Sequence, residues 1–234
     1  MDKDKEDLKC EVVKEDFLQY DLSFKIIVIG DTAVGKSCLT MKATKDYFEN
    51  YYSPTVGFEF FTFNCKINDQ SIRLQIWDTC GQEEYRSLIQ NFYRNSSLAI
   101  LVYAIDNIKS FENLEIWLNE VKVQGSPDVK IFLIGNKIDL EERREVSTEN
   151  GKKFYKDNKL NLFLETSAKA GTNVQDVFIN AAKVLYLDHT KYKDRISRPD
   201  SVIRLPSLID ENQDIVESEE DEGQSNRKKG CCSG

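Results

Sequence analysis

No apolar run in the 234 residues approaches the ~20 needed to cross a bilayer as a helix, so no membrane span is expected. The opening MDKDKEDLKC alternates acids and bases without an apolar stretch, and no signal peptide is expected. The six cysteines, Cys10, Cys38, Cys65, Cys80, Cys231 and Cys232, lack both metal-type and disulfide-framework spacing, which suits a reducing cytosol. The single histidine, His189, has no companion and is assigned no role. A concentrated basic patch is also missing, which argues against a nucleic-acid binder. The net charge of −8 is local: residues 207–222 carry eight acids and no base. Residues 1–22 add eight acids against four lysines, leaving the middle of the chain basic by four.

What the chain does have is FKIIVIGDTAVGKS at residues 24–37. Phe24 to Ile29 is an apolar, β-branched run that reads as a buried strand. CLTMKATKDYF then follows at helical spacing. Strand, Gly-x-x-x-x-Gly-Lys-Ser and helix are the parts of a phosphate-binding loop. In it Gly30, Asp31, Thr32, Ala33, Val34 and Gly35 turn their N–H groups around phosphates. Lys36, Ser37 and Cys38 open the helix, whose N-terminus adds partial positive charge. Lys36 is expected on the β- and γ-phosphates, as a catalytic as well as a binding residue, and Ser37 on Mg²⁺.

The length fits one domain plus tails. Residues 1–22 read as a charged leader with room for one short helix. Residues 23–190 alternate strand and helix patterns. FEFFTFNCKI and SIRLQIW flank Asn68-Asp69-Gln70, a hairpin signal. LAILVYAI, VKIFLIG and NLFLE are further strands. Helices are expected from a Ser110 cap, over about 148–156 and from Asn173 to about Leu187. One hairpin followed by βα units predicts an α/β, doubly wound sheet of six strands, mostly parallel, with one antiparallel edge strand and helices on both faces. Residues 191–234 read as a disordered tail.

Ligands of such sheets bind beyond the strand C-terminal ends, so residues just after strands are the candidates. Asp78, after SIRLQIW, can hold Mg²⁺ through a water. Gly81 lets backbone approach a γ-phosphate, and the Gln82 amide can orient an attacking water. Trp77 by itself reads as core. Asn136, Lys137 and Asp139 follow VKIFLIG. A carboxylate at Asp139 accepts two parallel bonds from the guanine N1–H and N2–H₂ edge, which adenine does not offer. Thr166, Ser167, Ala168 and Lys169 follow NLFLE, and their N–H groups can reach the guanine O6. Between the first helix and the hairpin, Thr55 can complete the Mg²⁺ shell and Phe48 can pack on the base. Together these signals describe one Mg²⁺–GTP site.

With these motifs in place, the chain resembles the Ras-like small GTPases, and most closely the Rab family. LQIWDTCGQEEYRSLIQNFYR is similar to the Rab switch II signature and TVGFEF to switch I. By that resemblance Phe60, Trp77 and Phe92 form the aromatic cluster shown to effectors. The resemblance implies a small G domain and a slow GTP hydrolase that cycles between GTP and GDP to regulate vesicular traffic. It also implies a monomer served by an exchange factor, an activating protein, a prenylation escort and a GDP-dissociation inhibitor. Cys80 stands where the family usually has alanine, adding volume beside the γ-phosphate. Phe92 replaces a more usual tyrosine.

The terminal Cys231-Cys232-Ser233-Gly234 resembles doubly geranylgeranylated Rab ends rather than a farnesyl-type box. Two lipid chains anchor stably where one is marginal. The expected location is therefore the cytoplasmic face of an intracellular membrane, in exchange with cytosol. Two rivals remain at this point. A P-loop metabolic enzyme would need an acceptor pocket and leaves Asn136–Asp139 unexplained. A non-cycling, GTP-bound scaffold is opposed by the intact Lys36, Ser37, Thr55 and Gln82.

Overall fold

The computed structural model describes residues 8–13, 19–49, 55, 57–81 and 92–197. The expectations for Gln82, Cys231 and Cys232 lie outside the described residues. The described elements are β1 (Cys10–Val13), β2 (Leu22–Ile29), α1 (Lys36–Lys45), β3 (Phe58–Ile67), β4 (Gln70–Thr79), β5 (Leu98–Ala104), α2 (Ile108–Glu112), α3 (Leu114–Gln124), β6 (Lys130–Asn136), a 3₁₀ turn (Ile138–Arg143), α4 (Thr148–Asp157), β7 (Leu162–Glu165) and α5 (Val174–Ser197).

They form one sheet in the order β1-β3-β4-β2-β5-β6-β7. β2 runs parallel to both β4 and β5, and β5, β6 and β7 continue parallel. β3 is antiparallel to β4. The doubly wound α/β class is as expected, with seven strands rather than six. The additional strand is β1, where the sequence suggested room for a helix. It pairs antiparallel with β3, Cys10 opposite Ile67 and Val13 opposite Asn64. Leu8, Cys10 and Val12 alternate with exposed Lys9 and Glu11, and these three pack on the core. That period of two is the strand signature, and the charges of the leader obscured it.

The central strands carry unbroken apolar runs because helices cover both faces. Along β2 the faces alternate: Ile26 and Val28 join α1 and α5 in one core, and Ile27 and Ile29 join α3 in the other. All of β5 is buried. Asn68 and Asp69, at φ 48° and 63°, make the two-residue hairpin turn that Asn and Asp tolerate well. Two boundaries differ from expectation. The cap before α2 is Asn107, whose side chain accepts from the Ser110 N–H. Ser110 lies inside the helix, buried, its hydroxyl bonded to the Asn107 carbonyl at 2.7 Å. At the far end α5 runs to Ser197, ten residues past Leu187.

β2 lies where the chain switches sides, β4 to one flank and β5 to the other. A cleft therefore opens beyond its C-terminal end, as the topology requires. The first core depends on Phe178 of α5, fully buried, with its ring 5.6 Å from that of Phe63. Phe178→Ala is expected to lower unfolding free energy by about 3–5 kcal/mol. Urea denaturation should show a lower midpoint at unchanged slope.

Candidate functional site

The loop between β2 and α1 begins as a backbone cage for an ammonium. Lys36 Nζ donates to the Gly30 and Asp31 carbonyls, each at 2.8 Å. Three N–H donors minus these two leave one for a phosphate oxygen. Lys36 is 5% exposed, and burial pushes its pKa down to about 8 while Asp78 and Asp31 pull it back. A bound phosphate would hold it charged. At the cap of α1, Gly35 is left-handed at φ 95° and offers no capping side chain. The first N–H groups of α1 therefore face the cleft unblocked by a cap, a favourable place for anionic oxygens.

Ser37, Thr55 and Asp78 come together from three separate segments. Ser37 Oγ and Thr55 Oγ1 are 2.7 Å apart. The Ser37 hydroxyl also donates to Asp78 Oδ2. Asp78 is fully buried, and its second oxygen, Oδ1, has no hydrogen-bond partner among the described residues. Burial raises its pKa to about 7, against the opposing pull of Ser37 and Lys36. Two hydroxyls and a carboxylate with one unpartnered oxygen are hard oxygen donors, and they fit Mg²⁺. Gly81 makes its close approach to the loop itself: a Cβ there would lie 2.4 Å from the Thr32 nitrogen. Side chains are thus excluded where the segment after β4 meets the phosphate loop.

At the other end of the cleft, Asn136 joins three loops. Its Nδ2 donates to the Val34 carbonyl at 2.9 Å. Its Oδ1 accepts from Thr166 Oγ1 and from the Ala168 N–H, both at 3.2 Å. A Cβ on Gly35 would fall 2.4 Å from Asn136 Nδ2, so glycine is needed for this link as well. Asp139 is held by the Ser167 hydroxyl, 2.6 Å from its Oδ1. Lys137, at φ 72°, pairs with Asp106 at 3.4 Å.

The cleft between these groups has a volume of about 450 Å³. Thr32, Ala33, Gly35, Lys36, Ser37 and Cys38 line one wall, with Phe48, Thr55 and Gly81 beside them. Asn136, Lys137, Asp139, Ala168 and Lys169 line the opposite wall. Gly30, Asp31, Val34, Ser167 and Asp78 stand behind the lining. Val34 has its side chain in the core, and Ser167 acts through Asp139. Cys80 is corrected: its side chain is 2% exposed and packs in the core with Ile29 and Trp117. It fills core volume and is not part of the cleft lining.

Phe60, Trp77 and Phe92 do cluster, and Phe58 joins them. Ring centroids are 5.2 Å apart for Phe60–Trp77, 5.0 Å for Trp77–Phe92 and 4.6 Å for Phe58–Phe92. Trp77 is half-buried instead of core, while Phe58 and Phe60 are about half exposed. Lys25 Nζ lies 5.7 Å from the Trp77 ring centre. Sequence reasoning missed how the Asp31 side chain is held. Asn113 and Trp117 donate to its two oxygens at 2.6 and 2.7 Å, across 82 and 86 residues. Asp31 precedes a glycine-rich turn, and nothing local signals partners so distant.

Asp139→Asn replaces one acceptor oxygen by a donor. It is expected to weaken guanine-nucleotide binding by about 100-fold or more, because two charge-assisted bonds are disturbed. Competition against a fluorescent GDP analogue measures it.

A protein-family model described as the Ras family matches residues 25–187, more than half of the chain and all of this cleft. The phosphate cage, the oxygen triad and the guanine-side brace lie inside the match. The chain belongs to the Ras family, whose members are small GTPases that switch between GTP and GDP and use Mg²⁺.

Proposed function

We propose that this Ras-family protein is a Rab-like switch that regulates vesicular membrane traffic. The observation that supports this reading best is the aromatic surface of Phe58, Phe60, Trp77 and Phe92. It stands on the two strands that adjoin the metal-facing residues. β3 begins three residues after Thr55, and β4 ends at Asp78-Thr79, with Phe58 opposite Thr79 and Phe60 opposite Trp77. In this reading, rearrangement of Thr55 or of Gly81 is transmitted over a few residues to an exposed aromatic surface, the kind of patch that holds a partner.

In this reading Gly35 to Cys38 bind the phosphates and Lys36 neutralises the β- and γ-oxygens. Ser37 and Thr55 would hold Mg²⁺, with Asp78 behind them. Held there, the ion would supply positive charge to stabilise negative charge developing on the phosphate. Thr55 and Gly81 report the γ-phosphate, and its loss on hydrolysis frees both segments. Asp139 selects guanine, Phe48 covers one face of the base, and Ala168 and Lys169 close the O6 side. Gln82 orients the attacking water. In this reading an activating protein supplies an arginine to the phosphate.

The tail places the switch on a membrane. Two prenyl groups on Cys231 and Cys232 anchor it to the cytoplasmic face of an intracellular membrane. An escort delivers it, and a GDP-dissociation inhibitor extracts it. Arg227-Lys228-Lys229 adds a weak attraction to anionic lipid.

Two outcomes test these assignments. Gln82→Leu should retain GTP and lower activator-stimulated hydrolysis by roughly 100-fold or more. Single-turnover phosphate release measures this, and unchanged stimulated turnover would remove Gln82 from the mechanism. A Cys231→Ser/Cys232→Ser double variant should move from membrane to soluble fractions of cells. Membrane signal that survives the change would remove the lipid anchor from the account.

A further inference from the structure

The register of β1 on β3 brings together two cysteines separated by more than fifty residues. Cys10 lies opposite Ile67 and Val12 opposite Cys65. Cys10 and Cys65 are thus diagonal neighbours on adjacent antiparallel strands. Both belong to the same core cluster, Cys10 half-buried at the sheet edge and Cys65 fully buried beneath it. Their side chains share the inward face of the two strands, and each thiol is the other's strongest electrostatic neighbour. The cleft uses neither residue. We propose that Cys10 and Cys65 are an oxidative modification site, a dithiol that closes to a disulfide and clasps the N-terminal strand onto β3.

Three features favour this pair. The first is chemical asymmetry. The neighbouring Cys65 thiol, with help from the Lys183 charge, holds the Cys10 thiol below its ordinary range against the opposing effect of burial. The same contact and burial push Cys65 up. Cys10, the more exposed of the two, is the attacking thiolate, and buried Cys65 the resolving thiol. The second is access: Cys10 sits on the edge strand, open to a small oxidant, while Cys65 needs only its neighbour. The third is geometry. Diagonal strand neighbours have Cα atoms about 7–8 Å apart, and disulfides span about 4.4–6.8 Å. Closure asks for a shift of about 1 Å. A four-residue strand at the edge of the sheet can make that shift, whereas a central strand could not.

With a hydroperoxide such as hydrogen peroxide the step balances. The Cys10 sulfur attacks one peroxide oxygen, an S–O bond forms, the O–O bond breaks and hydroxide leaves to become water. Cys65 then attacks the Cys10 sulfur, the S–S bond forms and the S–O bond breaks. A second hydroxide leaves and is protonated by the hydrogen lost from Cys65. Each sulfur gives up one electron, and the peroxide takes both. A thiol reductant reverses the bond by exchange. The clasp would fix the edge strand over residues 64–67 of β3, the strand whose other end carries Phe58 and Phe60.

The test is peptide mapping of the full-length protein after hydrogen peroxide treatment, without reduction. A Cys10–Cys65 linked peptide is expected, lost on adding reductant and absent from Cys10→Ser. Val12→Asp, which places a charge on the inward face of β1 and leaves both cysteines, should slow the linkage at least tenfold. Three results would overturn the proposal. One is a map with no Cys10–Cys65 peptide. Another is pairing of either cysteine with Cys38, Cys80, Cys231 or Cys232 instead. The third is Val12→Asp linking as fast as the unaltered protein.

Discussion

One amide side chain sets the geometry of the cleft. Asn136 ends β6 and reaches the phosphate loop through Val34, and the loop after β7 through Thr166 and Ala168. Buried at 1% exposure, it satisfies both ends of its amide on protein. Each such bond contributes only about 0.5–1.5 kcal/mol net, but leaving one of these groups unpaired would cost about 1–3 kcal/mol. Three loops from three strand ends are thereby fixed relative to one another, with Asp139 and Ser167 fixed beside them. The two walls of the cleft are thus two sides of one braced unit.

The opposite end of the cleft is arranged differently. Ser37, Thr55 and Asp78 are held by short polar contacts around an unpartnered carboxylate oxygen. Lys36 and Asp78 are both buried charges, and burial shifts each toward neutrality. An anion beside Lys36 and a cation beside Asp78 would reverse both tendencies. One end of the cleft is braced by neutral hydrogen bonds and the other depends on charge, a division that suits the proposed nucleotide switch. Strands β3 and β4 connect that second end to the exposed phenylalanines without an intervening loop. Asp31 adds a further brace from α3, so the loop that cages Lys36 is held from both faces of the sheet.

Much of this could be read from residue order, because strand-end loops are local. The phosphate loop, the Asn136–Asp139 and Thr166–Lys169 segments and the hairpin turn each carry their chemistry within a few residues. The structure brings Ser37, Thr55 and Asp78 together as expected. It withheld from sequence reasoning whatever depends on distant pairing. β1 was hidden because only three inward residues carry its period among leader charges. Cys80 was misplaced because its strand-end position suggests the cleft, while the direction of its side chain is set by the core. Asn136 resembled a nucleotide contact, and its main work is holding Val34, Thr166 and Ala168. The Ser110 cap failed because the helix already starts three residues earlier, where the Asn107 side chain accepts from the Ser110 N–H.

The account rests on Asn136 holding a guanine site together, and nucleotide release tests this most directly. GDP dissociation with Mg²⁺ should be followed for the unaltered protein and for Asn136→Ala, with thermal unfolding confirming a folded variant. Loss of the brace should speed release by about 10–100-fold, the equivalent of about 1.4–2.7 kcal/mol. A folded Asn136→Ala protein that releases GDP at the unaltered rate would contradict it.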